Sequence, residues 1–376
     1  MSDVTRVQVA GVGIHPFGRF ADKTVTDMGV HAVRAALAEA GDPRFQAAFC
    51  GTAYSGVAAG HKVLGALART GVPIVDVEAG CASGGAALQL AAGAIRAGQY
   101  DCVLVFGIEK MPKGIIRSSF FEPWREEAGL AATPAYFALR AQRLLREAGL
   151  DKQHLAQVVV KNRAHGVHNP NAMFRSEVTA DDVLASRVVC EPLHLWMLCS
   201  PNEGAAAVVL RKTTGTGITL AAARLRSHLP GSVLGEATPM SGIDDMHITP
   251  PSTLAADDAY AEAGIGPDDL DVVECQDTDA ARELLGYQEL HLCEPGEQAK
   301  LLADGDVTLG GRHPVNPSGG LLSKGEPLGA SALGQVVELV YQLRGDAGTR
   351  QVEGARVGLA HTVGRGANAC VVIVAR

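Results

Sequence analysis

At 376 residues, 47% hydrophobic and 20% charged, the chain is long enough for two similar domains or one duplicated fold, and its composition excludes a disordered or coiled-coil protein. A net charge of −8 leaves no basic face for a phosphate backbone, which excludes nucleic acid as a partner. The longest apolar stretches, such as 86–95, fall well short of the roughly 18 residues that span a bilayer, and the start MSDVTRVQVA carries no leader pattern, so a cytoplasmic protein outside the membrane is expected.

In chain order, residues 7–12 read as a buried strand running into a glycine-rich turn over 13–18. Apolar residues at Met28, Val30, Val33, Leu37 and Ala40 predict a helix over 26–40, stopped by Gly41-Asp42-Pro43. A strand at 74–77, the turn Gly80-Cys81-Ala82-Ser83-Gly84-Gly85, a helix over 86–96 and a strand over 102–106 follow. From 111 to 189 the pattern turns charged and aromatic, with a helix over 136–148, and reads as an insertion covering the sheet edge. Strands are expected again at 205–210, 218–223 and 270–274, then a helix over 280–290. Asn316-Pro317-Ser318-Gly319-Gly320 opens a further helix to 343, and strands at 357–359 and 369–374 close the chain. Such alternation indicates an α/β sheet with both faces buried. Ser83-Gly84-Gly85 and Ser318-Gly319-Gly320, each opening a small-residue helix, point to an internal duplication.

The eight cysteines include no CxxC pair, which argues against a disulfide framework or a metal site. Cys50, Cys102, Cys190 and Cys370 sit in apolar or strand-like runs and read as small hydrophobic fillers. Cys81 differs, because a cysteine between a buried strand and a helix N-terminus meets amide donors and a dipole that favour thiolate. It is the candidate nucleophile, with plain packing of the turn as the alternative reading.

Beyond these local features, several runs resemble the sterol-carrier type of the thiolase superfamily. They are VEAGCASGGAALQLAAGAIRAGQYDCVLVFGIEKM at 77–111, KNRAHGVHNPNAMF at 161–174, CSPNEGAAAVVL at 199–210, NPSGGLLSKGEPLGASALGQVVELVYQLRG at 316–345 and the terminal GLAHTVGRGANACVVIV. The resemblance implies a thiolase fold of two duplicated βαβαβαββ halves, 1–213 and 214–376, in five layers with a loop domain inserted over 111–189. It also implies a homodimer handling coenzyme A thioesters, with no tightly bound cofactor. Cys81 matches the family's acyl-accepting cysteine, and the backbone amides of Cys81 and Gly364, in the loop 361–366, match its oxyanion hole.

The remaining machinery departs from the family pattern. Where a Gly-His-Pro supplies the activating histidine, this chain reads Gly325-Glu326-Pro327. Where His-Asp-Cys-Phe supplies a second histidine and an acid/base cysteine, it reads Gln276-Asp277-Thr278-Asp279. Ionised glutamate only accepts hydrogen bonds, so Glu326 would serve as a base or else stand as a carboxylate in a degenerate site. Gln276 can orient a carbonyl but not shuttle protons, and Thr278 is a poor replacement for a thiol. His361 and His165 lie in the family-like segments and join Asp277 as candidates. The function expected is a thiolase-like acyltransferase working through acyl-Cys81. A retro-aldol lyase with a small OB-fold partner is the second reading, and a noncatalytic thioester-binding subunit is the third.

Overall fold

The structure, a computed structural model, describes residues 6–114, 124, 127–128, 133–230, 248–364 and 368–376. The first half contributes strands β1 (Arg6–Gly18), β2 (Ala47–Gly51), β3 (Ile74–Val77), β4 (Cys102–Lys110) and β7 (Glu203–Thr213). The second contributes β8 (Thr219–Ser227), β9 (Val272–Glu274), β10 (Val357–Gly364) and β11 (Asn368–Ala375). Among the described residues these nine strands run in the order β3-β2-β4-β7-β1-β8-β11-β10-β9.

Pairing directions expose the duplication. On one side β2 is parallel to both β3 and β4, β4 is antiparallel to β7, and β7 is antiparallel to β1. On the other, β9 is parallel to β10 and to an isolated bridge at Val315, β10 is antiparallel to β11, and β11 is antiparallel to β8. The two series meet where Gln8 pairs with Thr219. Val315 thus stands where β3 stands, which puts Asn316–Gly319 in the place of the turn that carries Cys81.

Period-two burial along the strands builds the layers. Val103 and Val105 of β4 face a central core with Val272, Ala360 and Val372 from the second half, while Leu104 and Phe106 face Met28 and Val33 of the helix Val25–Glu39. Leu359, Val371 and Ile373 point the other way, onto the helices Pro251–Ala263 and Ala280–Glu289. The central layer is the helix pair Ser83–Arg96 and Leu328–Arg344. Helices outside, sheet, central helices, sheet and helices outside give the five layers of the thiolase fold. Glycine lets the central layer close: a methyl on Gly107 would lie 2.1 Å from Gly329 O, a backbone atom that cannot yield without moving the helix.

Two expectations are corrected. The glycines over 13–18 do not make a turn, since β1 continues to Gly18. They and Gly11 serve packing: a Cβ on Gly11 would meet Ala36 O at 2.4 Å and one on Gly13 would meet Ala32 O at 2.2 Å. The helix expected from 316 to 343 is two helices, Gly320–Lys324 and Leu328–Arg344, broken where Gly325 takes φ +82 and Pro327 follows. The described part of the insertion meets the sheet edge as expected, where Lys161 Nζ donates to Val315 O at 2.8 Å, and it packs on helices as well. Its helices Thr133–Glu147 and Lys152–Gly166 bury Ala138, Ala141 and Leu155 in one cluster with Ala280 and Leu284. Three of the four filler cysteines are buried, whereas Cys190 is half-buried in the short strand β5 (Val188–Cys190), which pairs antiparallel with β6 (Leu193–His194).

Candidate active site

The turn after β3 is set by local hydrogen bonding. Gly80 has φ +59, which favours glycine, and Ser83 Oγ donates to Gly80 O at 2.6 Å while accepting from Ala79 N at 2.8 Å. This pins Gly80–Ala82 as a tight 3₁₀ turn against the N-terminus of Ser83–Arg96, with Cys81 buried at its centre. The end of β10 presses on the same turn. A Cβ on Gly364 would come within 1.9 Å of Ala79 O, so only glycine permits that approach. Arg365 and Gly366, the remainder of the expected loop, lie outside the described residues.

Cys81 lines a cavity of about 700 Å³ together with Gln276, Thr278, Glu326 and Gly364. Glu326 arrives there because of the helix break. Asp277 accepts from Leu321 N at 2.6 Å and Leu322 N at 3.1 Å, fixing the start of Gly320–Lys324, and Glu326 N then donates to Ser200 O at 2.9 Å. Gln276 Nε2 donates to Glu326 Oε1 at 2.9 Å, and Gln276 Oε1 accepts from Val363 N. Both ends of this amide are therefore engaged by protein, tying the Glu326 carboxylate to the residue next to Gly364.

The same carboxylate has a partner that sequence reasoning did not single out. Cys199 Sγ donates to Glu326 Oε2 at 3.3 Å, and Cys199 lines the cavity. Its backbone is held by isolated bridges on either side, Leu198 to Asp279 and Pro201 to Glu326, and by Cys199 N donating to Thr278 O at 2.9 Å. Burial pushes this thiol well above its ordinary range, and the Glu326 carboxylate pushes it further the same way. Cys199 is thus a thiol at neutral pH, a proton donor placed beside the position where Thr278 offers none. Its only sequence signal was a cysteine opening the CSPNEGAAAVVL run.

The other predicted residues sit away from the cavity lining. Asp277 is fully buried between Asn162 Nδ2 at 2.8 Å and the two amides it caps, and burial followed by the nearby Glu283 holds it well above the usual carboxylate range. His361 points from β10 into the outer core, where Nε2 meets Ser252 Oγ at 2.9 Å, and burial drives it well below the ordinary histidine value. His165 Nδ1 donates to Asn316 O at 3.0 Å and Nε2 accepts from Leu309 N at 3.3 Å, fixing a neutral ring. Each of the three braces the segments that carry the cavity rather than facing it.

His165 makes the fold acid-sensitive in a defined window. Burial, then Lys161, lowers it from 6.5 to about 4. Below pH 6.5 the unfolded chain takes up a proton that the folded chain refuses until about pH 4, so stability falls as pH drops through that window, by up to roughly 3 kcal/mol. Urea midpoints between pH 7 and 4.5 should show this fall. His165→Gln, which keeps one donor and one acceptor, should show a shallower one, with the remainder owed to other buried histidines such as His361; an unaltered slope would exonerate His165.

Comparison with known proteins gives a consistent result. The family description "Thiolase, N-terminal domain" matches residues 7–214 and "Thiolase C-terminal domain-like" matches 235–376. Sterol carrier protein 2 of Bos taurus is 35% identical over 96% of this chain and 70% of its own length. An acetyl-CoA acetyltransferase of Methanothermobacter thermautotrophicus is 35% identical over 98% of this chain and 99% of its own. Among solved structures, an Ltp2-ChsH2(DUF35) aldolase superposes with a TM-score of 0.86 over 98% of this chain and 97% of that one, at 24% identity, a likeness of fold.

Proposed function

From this chain's membership of the thiolase family we propose that it transfers an acyl group from a coenzyme A thioester through an acyl-Cys81 intermediate, making or cleaving a carbon–carbon bond. The observation that carries the reading is the convergence of Cys81, Cys199 and Glu326 on one cavity, with the Cys199 thiol donating to the Glu326 carboxylate at 3.3 Å. Family acyl transfer needs a nucleophilic thiol and a second group that gives and takes protons. Thr278 cannot be that group, and Cys199 supplies the chemistry from another segment.

In the first half-reaction Cys81 Sγ bonds to the thioester carbonyl carbon, its proton passing to Glu326. The oxyanion that forms is held by the backbone N–H groups of Cys81 and Gly364. Collapse breaks the bond to coenzyme A sulfur, and the leaving thiolate takes up the proton. In the second, an acceptor thioester loses an α-proton to the Cys199–Glu326 pair, its carbanion attacks the acyl carbon, and Cys81 leaves as thiolate. Running backwards, the same steps cleave a β-ketoacyl thioester with free coenzyme A.

Intact-protein mass spectrometry after mixing with a short acyl-CoA should show one added acyl mass, removed again by free coenzyme A. Retro-aldol cleavage of a β-hydroxyacyl thioester with no such adduct would instead establish the lyase reading.

A further inference from the structure

Five arginines line the Cys81 cavity, Arg19, Arg140, Arg163, Arg187 and Arg282. Three are matched by carboxylates: Arg19 with Glu203 at 3.5 Å, Arg140 with Asp279, and Arg282 in a two-pronged pair with Glu289. Arg187 is exposed, where water screens its charge. Arg163 has neither compensation. It is 6% exposed, its Nε is buried with no hydrogen-bond partner, and among the described residues no carboxylate lies within ion-pair distance. Its guanidinium instead lies against the ring of Phe174, 4.2 Å from the centroid.

A buried cation of this kind is costly. Burial alone lowers Arg163 to about 10, so it stays charged at neutral pH. The last turn of Lys152–Gly166, in which it sits, offsets only part of that cost through the helix dipole. Stacking on an aromatic face holds the planar fork in one orientation, which prepares it for a two-pronged contact with a planar anion. Plain packing at this position would be served better by a neutral side chain.

We propose that Arg163 receives a free carboxylate carried by the acyl group, so that the substrate class is a dicarboxylic acyl thioester, one carboxyl in the thioester and the other free. The proposal rests on the reading of this cavity as an acyl-thioester site. Coenzyme A also carries anions, its phosphates, and the test separates the two sources.

Succinyl-CoA and butyryl-CoA have acyl chains of equal carbon number that differ in the terminal carboxylate. Their binding, and that of free coenzyme A, is measured by calorimetry on Cys81→Ala protein, in which the acyl-Cys81 adduct cannot form, with and without Arg163→Gln. The expected result is a preference for succinyl-CoA of about 10- to 100-fold that Arg163→Gln erases while butyryl-CoA binding holds, and that Arg163→Lys retains in part. Thermal unfolding of Arg163→Gln should show no loss of stability, since an unmatched buried cation is removed. Equal weakening of all three ligands would assign Arg163 to a coenzyme A phosphate and overturn the proposal. Binding of both thioesters without a succinyl preference would sink it alone, whereas no binding of any of the three would sink the acyl-thioester reading and this proposal together.

Discussion

Cys81→Ala is expected to abolish the covalent acyl adduct and to lower turnover by on the order of 10⁴-fold or more, the scale seen when a covalent nucleophile is removed. Every local feature bears on this residue: the Gly80 turn, the Ser83 bonds that fix it, the N-terminus of Ser83–Arg96 and the glycine contact from β10. The substitution removes one sulfur from a residue already 8% exposed and leaves those contacts in place, so folding and thioester binding should persist. Circular dichroism and calorimetry check that, and mass spectrometry reads the adduct. An adduct that survives would have to sit on another thiol lining the cavity, and Cys199 would be the first examined. A native reaction that survives unimpaired would remove acyl transfer from the mechanism and leave carbon–carbon cleavage without covalent catalysis.

What could be read from the sequence was whatever is decided within a few residues. The Cys81 turn follows from a strand, a glycine and a small-residue helix that are adjacent in the chain. Glu326, Gln276 and Thr278 were placed by motif register, and the structure brings all three to the cavity with Cys81 and Gly364. Cys199 was missed because its contact with Glu326 spans 127 positions and depends on two isolated bridges that no local pattern announces. Arg163 was missed because its meaning lies in the absence of a partner.

His361 shows the opposite failure. Its segment was recognised, but a strand residue's face is set by register, and His361 shares the face of Leu359, turned toward the outer core, rather than that of Ala360. The glycines of β1 were visible as glycines. That they relieve a helix instead of making a turn is a tertiary fact.

Glu326→Gln should cost roughly 10² to 10⁴-fold in rate with little change in substrate binding, the range for loss of a general base. The replacement preserves size and can still accept from Gln276 Nε2, which now donates at 2.9 Å, so the loop next to Gly364 stays tied. What it removes is the proton acceptor and the charge facing Cys199. Since Glu326 is, after burial, the largest cause holding the Cys199 thiol up, its neutralisation should lower that thiol, and alkylation of Cys199 by a small reagent should begin at lower pH in Glu326→Gln than in the parent. This readout is independent of turnover, and a mere filler role for the carboxylate would not move it. Cys199→Ala should depress carbon–carbon bond formation more than the formation of acyl-Cys81, because Cys199 belongs to the pair that takes the acceptor's α-proton. Glu326→His would restore the residue found in the family pattern, with Gln276 and Thr278 still limiting thiolysis. If Glu326→Gln keeps full rate across the pH range and leaves the Cys199 alkylation profile where it was, proton transfer runs through neither residue, and the pair at 3.3 Å is a packing contact in a site whose base lies elsewhere.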